Sequence, residues 1–567
     1  LLITKEKIWK FVETFPDPFT GNSLNKLVPH VEILENGTLF TSMQRIFKVI
    51  DDNGTPSDPT DDKLVTYTLN YEGTLDLNNA SIHLFNPPAT SGIFLTSVVK
   101  SWRDMINPHD SVTLIPSVSG TITQTYEGQF FGGINFNTAI QKSYYTSVTT
   151  QDNVTRSAQV TESYELGITD PVSISYTYYD TRRRADGQVT LVKVIENMIP
   201  ILSGTWTLLV ESIQYVYKKE DTVVVDPLNT GTRTASKLVT IIETYQGDLT
   251  RRALVNYQIT NAFISSIQKD YKVIHAGKLK QASSYYEYID QANQLLYAVQ
   301  FRYNDGVIQR KIRNPDGTYT ADIGVSVTIQ ENYEGPITAP MILTAKQRIW
   351  KAVESVPDPF SANELGPRLV TNIETLEQGR EDLFTTMQRT FKNSEDLDGD
   401  GIIDRVTTYT LNYEGRLALD NASIHLFNPP ASSGIFITSV SKTWRQSVMP
   451  HVSVGLANNV SGTISETYEG TFFTATASDR FLTAKQISYK ANVATYYGSK
   501  QVTVTESYEK IGLETRITSI TFTYYDNRAT KEDGTRIVKG VENYITIGNA
   551  GSEQKFILSV QYVYRKQ

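Results

Sequence analysis

A stretch of 33 residues occurs twice in this chain, and the duplication limits what the chain can fold into more than any other feature. Residues 66–98 read TYTLNYEGTLDLNNASIHLFNPPATSGIFLTSV and residues 408–440 read TYTLNYEGRLALDNASIHLFNPPASSGIFITSV, with 28 identities in 33 positions. Further matches lie on both sides, from KIWK at residue 7 and RIWK at residue 348 to SIQYVYK at residue 212 and SVQYVYR at residue 559. Long internal similarity indicates a fold built from repeated units.

The duplication divides the chain into three predicted regions. The two copies span residues 1–220 and 341–567, and a middle β domain is predicted at residues 221–340, which lack the long shared stretch. The 567 residues also exceed the roughly 250–300 residues at which a single hydrophobic core stops growing. We therefore expect several cores along the chain.

Alternation of hydrophobic and polar residues predicts a mainly β fold. Ile174, Tyr176 and Tyr178 alternate with Ser and Thr, and the 33 Tyr and 22 Phe residues suit the faces of strands. A strand that ends in Glu-x-Tyr-Glu or a variant recurs along the chain, and a second strand often follows it. We expect tandem antiparallel β-hairpin modules, arranged either as a long meander or as sandwiches.

One short helix is predicted at the start of each copy. Ile8, Val12 and Phe15 recur at spacings of four and three residues, which is the spacing of a helix face, and Pro16 would end the helix. This pattern predicts a helix over residues 4–15, and the matching pattern predicts another over residues 344–356.

The sharpest local motif is the acidic segment DLDGDGIID at residues 396–404. It places carboxylates at positions 1, 3, 5 and 9 and a Gly at position 6, and Ca²⁺ prefers such oxygen ligands. The segment resembles the calcium loops of thrombospondin type 3 repeats and dockerins over nine residues. It predicts a structural Ca²⁺ site, and the alternative is an acidic hairpin turn. The predicted ligands are Asp396, Asp398, Asp400 and Asp404.

Six Asn-x-Ser/Thr triplets are candidate glycosylation sites if the protein is exported by a glycosylating cell. They lie at Asn36, Asn53, Asn79, Asn153, Asn421 and Asn459. Asn79 and Asn421 occupy the same place in the two copies and are the first candidates. We expect a strand over residues 79–85 that contains His83, with both asparagines exposed. His83 and its match His425 are predicted to be structural rather than metal ligands.

Catalysis in this chain would have to depend on carboxylates. No Gly-x-Ser-x-Gly, phosphate-loop or His-Glu-x-x-His motif occurs in the sequence. Glu72, Glu127, Glu414 and Glu469 of the Tyr-Glu-Gly triplets could supply an acid and a base, as in glycoside hydrolysis. A catalytic pair needs two different environments, however, whereas here the same Glu recurs in successive modules. We therefore expect a structural role for these residues and no enzyme.

Composition excludes several other classes of function. The net charge of −8 and the lack of a basic block disfavour a nucleic-acid binder, and no apolar run is long enough to span a membrane. With no Cys, the chain has no disulfides, Cys-ligated zinc or thiol nucleophiles. The sequence starts at Leu1 without Met, which suggests a processed product, and a removed secretory leader is one explanation.

Taken together, these features predict an extracellular structural protein. We expect a self-assembling subunit of a cell-surface filament, sheath or surface layer that forms a homopolymer. The alternative is a surface adhesin or carbohydrate-binding protein with glycan partners, and a polysaccharide-degrading enzyme is a third class. Because the first residues parallel Met341 to Thr344, we also expect them to dock on a neighbouring subunit in head-to-tail polymers. These assembly candidates are Leu1, Leu2, Ile3 and Thr4.

Overall fold

In the part of the chain that it describes, the structure, a computed structural model, places 27 strands in one antiparallel sheet, which confirms the mainly β prediction. The described residues are 4–35, 39–51, 63–76, 80–88, 91, 93–112, 117–133, 135–150, 153–165, 170–183, 189–203, 205–228, 234–247, 254–255, 258–259, 262–275, 278–288, 294–335, 340–361, 363–377, 380–395, 404–418, 421–456, 458–474, 480–496, 498–511, 514–525, 536–547 and 554–565.

The first copy contributes eleven strands, and each pairs with the next along the chain. This order is a simple meander, which resolves the choice between meander and sandwiches that the sequence leaves open. The strands are β1 (Thr4–Pro16), β2 (Ser23–Glu35), β3 (Leu39–Asp51), β4 (Lys63–Asp76), β5 (Ile93–Ile106), β6 (Val118–Gly128), β7 (Asn135–Thr149), β8 (Thr155–Tyr164), β9 (Ser173–Arg183), β10 (Val189–Ser203) and β11 (Thr205–Val224).

The middle region continues the same sheet without a break, because β11 pairs with β12 and β18 pairs with β19. Its strands are β12 (Thr234–Gly247), β15 (Ala262–His275), β16 (Lys278–Tyr288), β17 (Gln294–Arg310) and β18 (Ile323–Glu334). A separate two-stranded pair is formed by β13 (Leu254–Val255) and β14 (Gln258–Ile259).

The second copy repeats the eleven strands of the first. They are β19 (Ile342–Pro357), β20 (Glu364–Glu377), β21 (Arg380–Glu395), β22 (Arg405–Ala418), β23 (Ile435–Val448), β24 (Val460–Gly470), β25 (Arg480–Thr495), β26 (Gly498–Ile511), β27 (Glu514–Tyr525), β28 (Arg536–Ile547) and β29 (Gln554–Arg565). Short 3₁₀ turns lie at Ala80–His83, Ala422–His425, Ala431–Ser433 and Val452–Val454.

The two predicted helices are wrong, because both segments are strands. Residues 4–15 lie in β1 and residues 344–356 in β19. A spacing of four residues also places side chains on one face of a strand, so Ile8 and Val12 share a face in either structure. Only Phe15 distinguishes the two patterns, and in the strand it lies on the opposite face and is buried. Strand β1 pairs with β2 and strand β19 pairs with β20, and these tertiary contacts favour a strand over a helix.

The predicted strand over residues 79–85 is also wrong, because residues 80–83 form a 3₁₀ turn around a buried arginine. Arg45 is fully buried and donates from Nη2 to the Ile82 carbonyl at 2.6 Å. In the second copy Arg389 donates to the Ile424 carbonyl at 2.6 Å and to the His425 carbonyl at 3.3 Å. A straight strand would turn alternate carbonyls away from the guanidinium, which has five N–H groups to satisfy.

A β-bulge recurs where most of the strands that carry a Glu-x-Tyr motif or a variant pair with the next strand. The ladder shifts register between Asn70 and Tyr71, so that Thr96 on β5 is left over as the bulged residue. Its hydroxyl donates to the Asn70 carbonyl at 3.0 Å. Bulged threonines bond the preceding strand in the same way at Thr138, Thr344, Thr438, Thr483 and Thr518. The bulge is therefore part of the repeat, and it bends the sheet locally.

The meander folds back so that strands of the first copy contact the last strand of the middle region and the first two strands of the second copy. Strand β4 lies against β18, β5 against β19 and β6 against β20. We call the face that buries Tyr71 and its equivalents the inner face, and the opposite face the outer face. Inner-face residues form two hydrophobic clusters in each copy and one in the middle region. A sixth cluster joins Phe94 of β5 to the middle region and β19.

Candidate functional site

The glutamates of the Glu-x-Tyr motifs are buried on the inner face and bind tyrosine hydroxyls. Glu162 is fully buried and accepts hydrogen bonds from the Tyr144 and Tyr164 hydroxyls, each at 2.6 Å, and from the His109 backbone N–H at 2.8 Å. Burial and the neighbouring carboxylate raise the pKa of Tyr144 far above its usual range, so the phenol stays protonated as a donor. Three donors satisfy a carboxylate that would be costly to bury alone.

The same arrangement recurs along the sheet. In the second copy Glu506 accepts from Tyr489 at 2.6 Å, from Tyr508 at 2.5 Å and from the His451 backbone N–H at 2.8 Å. Related bonds between Tyr hydroxyls and Glu carboxylates lie at Glu196, Glu243, Glu331, Glu466 and Glu542. Lysines lie beside two of these carboxylates, since Lys280 and Lys346 lie 2.9 and 3.4 Å from Glu331 and Lys485 lies 3.1 Å from Glu466.

The four Glu residues of the Tyr-Glu-Gly triplets point to the outer face and do not lie together. In the first copy Glu72 pairs with Lys351 at 3.3 Å and Glu127 pairs with Lys392 at 3.6 Å, so both reach across to the second copy. In the second copy the equivalents Glu414 and Glu469 are exposed. Two of the four are therefore contact residues between the copies, and two are surface residues.

The Gly of the triplet is required by the backbone. Gly415 has φ of 144°, and an added Cβ would lie 2.1 Å from the Gly434 carbonyl oxygen. Any side chain there would force the two strands apart. The recurrence of the triplet thus has a local steric reason.

A buried carboxylate that sequence reasoning missed lies at the start of each copy. Glu374 is fully buried, accepts both Nη2 bonds of Arg310 at 2.9 Å and accepts the Trp350 indole N–H at 2.8 Å. Its first-copy equivalent Glu32 accepts the Trp9 indole N–H at 2.9 Å. The Trp and Glu lie on different strands, so only strand register, which sequence spacing does not give, could have revealed the pair.

Two buried histidines have strongly lowered pKa values. His30 stacks on Trp9 at 3.7 Å and contacts Glu13 at 2.6 Å, and burial together with Arg45 lowers the pKa of His30 to about 3. His425 accepts the Lys311 backbone N–H on Nδ1 at 3.2 Å, and burial together with the arginines beside it lowers the pKa of His425 to about 4. His83, the equivalent of His425, is exposed.

Most of the predicted calcium loop lies outside the described residues. This holds for Asp396, Asp398 and Asp400, whereas Asp404 donates its backbone N–H to the Glu395 carbonyl at 2.9 Å, next to the start of β22. Within the described part of the chain no group of three or more potential metal ligands occurs.

Three of the six candidate glycosylation sites lie within the described residues and three lie outside them. Asn36, Asn53 and Asn79 lie outside the described residues. Asn153 and Asn459 are exposed outside the strands, and Asn153 has φ of 59°. Asn421 is half-buried and caps a 3₁₀ turn by accepting the Ser423 backbone N–H at 2.9 Å.

Two cavities lie where the copies meet. One of about 180 Å³ is lined by Trp444, Arg445, Glu165, Lys392 and several threonines, and the Nε of Arg445 is buried without a hydrogen-bond partner among the described residues. The other, of about 200 Å³, is mainly apolar and is lined in part by Phe94 and Val353.

Comparison with known proteins identifies no relative. No family model matches the chain, and neither a curated protein nor a solved structure matches it. Among the described residues no helix is long and apolar enough to cross a membrane.

Proposed function

We propose that this chain is an extracellular structural protein, a self-assembling subunit of a cell-surface filament, sheath or surface layer. The observation that carries the proposal is the continuous 27-stranded meander, whose recurring glutamates are bound by tyrosine hydroxyls and backbone groups. Such a sheet is stabilised mainly by contacts between neighbouring strands, as in other repeat architectures, and it suits an extended load-bearing or covering role.

The polymer, the Ca²⁺ and the glycans belong to this proposal. Ca²⁺ would be bound by Asp396, Asp398, Asp400 and Asp404 as a structural ion, and the exposed Asn153 and Asn459 would be modified together with the matched Asn79 and Asn421. Docking of residues 1–4 on a neighbouring subunit, as residues 341–344 dock within the chain, is one route to the polymer. Met341 is buried there, and its backbone N–H donates to the Pro227 carbonyl at 3.0 Å.

Self-assembly is the property that tests the proposal. The particle size of the purified protein, measured by light scattering, should increase as its concentration rises, and negative-stain electron microscopy should show ordered filaments or sheets. A protein that stays monomeric over the full range of concentration, with and without Ca²⁺, would contradict the proposal.

The alternative is a surface adhesin or carbohydrate-binding protein, which the 180 Å³ cavity favours. Threonine hydroxyls, an unpartnered arginine nitrogen and an indole edge are groups that bind sugars by hydrogen bonds and stacking. A glycan array tests it: binding that is lost in Arg445→Ala while the protein stays monomeric would favour the adhesin.

A further inference from the structure

The contact between the two copies joins two different faces. The acidic face belongs to the first copy and consists of Glu72, Phe94, Glu127 and Phe136. The basic face belongs to the second copy and consists of Lys351, Val353, Arg368 and Lys392. Two ion pairs, Glu72 with Lys351 and Glu127 with Lys392, join the faces. Phe94 and Val353 pack in one hydrophobic cluster, and the Arg368 guanidinium lies 5.3 Å from the centre of the Phe136 ring.

The duplication provides each face a second time, with seven of its eight side chains exposed and Lys26 half-buried. The second copy repeats the acidic face at Glu414, Phe436, Glu469 and Phe481. The first copy repeats the basic face at Lys10, Val12, Lys26 and Lys48. Lys26 is the equivalent of Arg368 because it pairs with Glu13 across the strands, as Arg368 pairs with Glu354.

The faces that meet within the chain are buried, whereas their equivalents in the other copy, here called the free faces, are mostly exposed. Phe94 is 5% exposed and its equivalent Phe436 is 57% exposed, although both lie within the nearly identical 33-residue stretch. Phe136 is 4% exposed, whereas Phe481 is 53% exposed. On the basic face Val353 is packed in the shared cluster, whereas Val12 is 57% exposed. Exposed large aromatic residues on matched surfaces indicate sites of interaction with another surface.

We propose that the free acidic face of one molecule binds the free basic face of a second copy of this chain. The inference rests on the proposed self-assembly and names its contact. All four residue pairings are chemically suited, since each carboxylate would meet a lysine, Phe436 would meet Val12 and Phe481 would meet Lys26. Because the two faces differ, the contact is heterologous and continues from molecule to molecule rather than closing as a two-fold dimer.

Reciprocal charge reversal tests the contact. The basic-face variant is Lys10→Glu with Lys48→Glu, and the acidic-face variant is Glu414→Lys with Glu469→Lys. All four side chains lie on the outer face, away from the buried clusters, so folding should persist and circular dichroism should be unchanged. The matched control is Lys218→Glu with Lys272→Glu, which makes the same change of charge at exposed lysines outside both faces.

Sedimentation velocity over a series of concentrations at low salt measures the result. Each face variant alone should need about tenfold more protein to polymerise, because like charges then face each other. An equimolar mixture of the two variants should regain the wild-type threshold, since every contact in a mixed polymer joins opposite charges. Phe436→Ser should also raise the threshold, whereas the control should not.

The other possible results distinguish failure of this contact from failure of self-assembly itself. If wild-type protein never polymerises, the proposed function and this contact both fail. If wild-type protein polymerises and the face variants do so at the same threshold, the contact is wrong while self-assembly stands. Growth that stops at dimers, or a mixture that fails to regain the threshold, would also overturn the heterologous contact.

Discussion

Removing one tyrosine hydroxyl from a buried glutamate should loosen the sheet locally. In Tyr144→Phe the ring remains but Glu162 loses its 2.6 Å bond, while Tyr164 and the His109 backbone N–H still donate to it. Hydrogen bonds to charged groups contribute about 1.5–3 kcal/mol, so we expect local stability to fall by about 2 kcal/mol. Because about 1.4 kcal/mol corresponds to a tenfold change, amides of β7 and β8 should exchange roughly 30-fold faster.

Native-state hydrogen exchange read by mass spectrometry is the suitable assay, because a chain with several cores is not expected to unfold in one step. The second copy supplies an internal reference, since Tyr489 and Glu506 form the equivalent bond at 2.6 Å. The backbone amides of β25 and β26 around this bond should keep the exchange rates of the wild type. Tyr145→Phe is the matched control, because the Tyr145 side chain is 71% exposed.

Two results would refute this reasoning. If the amides of β7 and β8 in Tyr144→Phe exchange within about threefold of wild type, the hydroxyl contributes much less than a charged hydrogen bond normally does. If exchange accelerates equally around Glu506, the two copies are coupled and the sheet is not stabilised by neighbouring strands.

Three further predictions follow from other elements. The pKa of His425 is about 4 in the folded protein and 6.5 in the unfolded chain, so its contribution to the stability of the folded protein is largest above pH 6.5. As the pH falls from 6.5 toward 4, the unfolded chain takes up a proton at this residue and the free energy of unfolding falls by about 3 kcal/mol. His425→Gln should therefore flatten the fall of melting temperature in acid, and His83→Gln should not. Thr96→Val should cost about 1 kcal/mol at the bulge, measured by exchange in β5, and Thr96→Ser should restore it. Asp398→Asn with Asp400→Asn should abolish Ca²⁺ binding in calorimetry, and unchanged binding would exclude the loop.

The sequence predicted the mainly β fold, because alternation of hydrophobic and polar residues is a local signal. The helix prediction over residues 4–15 failed because Ile8 and Val12 fit a strand as well as a helix, and only pairing with β2 decides between them. The bulge had a sequence signal that was missed, a Thr followed by Ser or Ala near the start of alternate strands, as in FLTSV and FLTAK.

The candidate contact faces could not be predicted, because identical residues have different surroundings. Phe94 and Phe436 lie in the same local structure, yet only Phe94 is covered. What covers it comes from residues more than 200 positions away along the chain. Burial on the outer face therefore depends on how the meander folds back, which no local pattern contains.

The difference between inner and outer contacts also determines how the molecule can assemble. Tyr144 and Glu162 are 18 residues apart, so their bond closes a short loop, whereas Glu72 and Lys351 are 279 residues apart. The cost of loop closure rises with length, and half-exposed ion pairs each contribute only about 0–1 kcal/mol. Within one chain the continuous sheet holds the faces close to each other, and between molecules nothing does. A polymer contact must therefore gain from all four pairings together, so reversing two charges should be enough to raise the polymerisation threshold about tenfold.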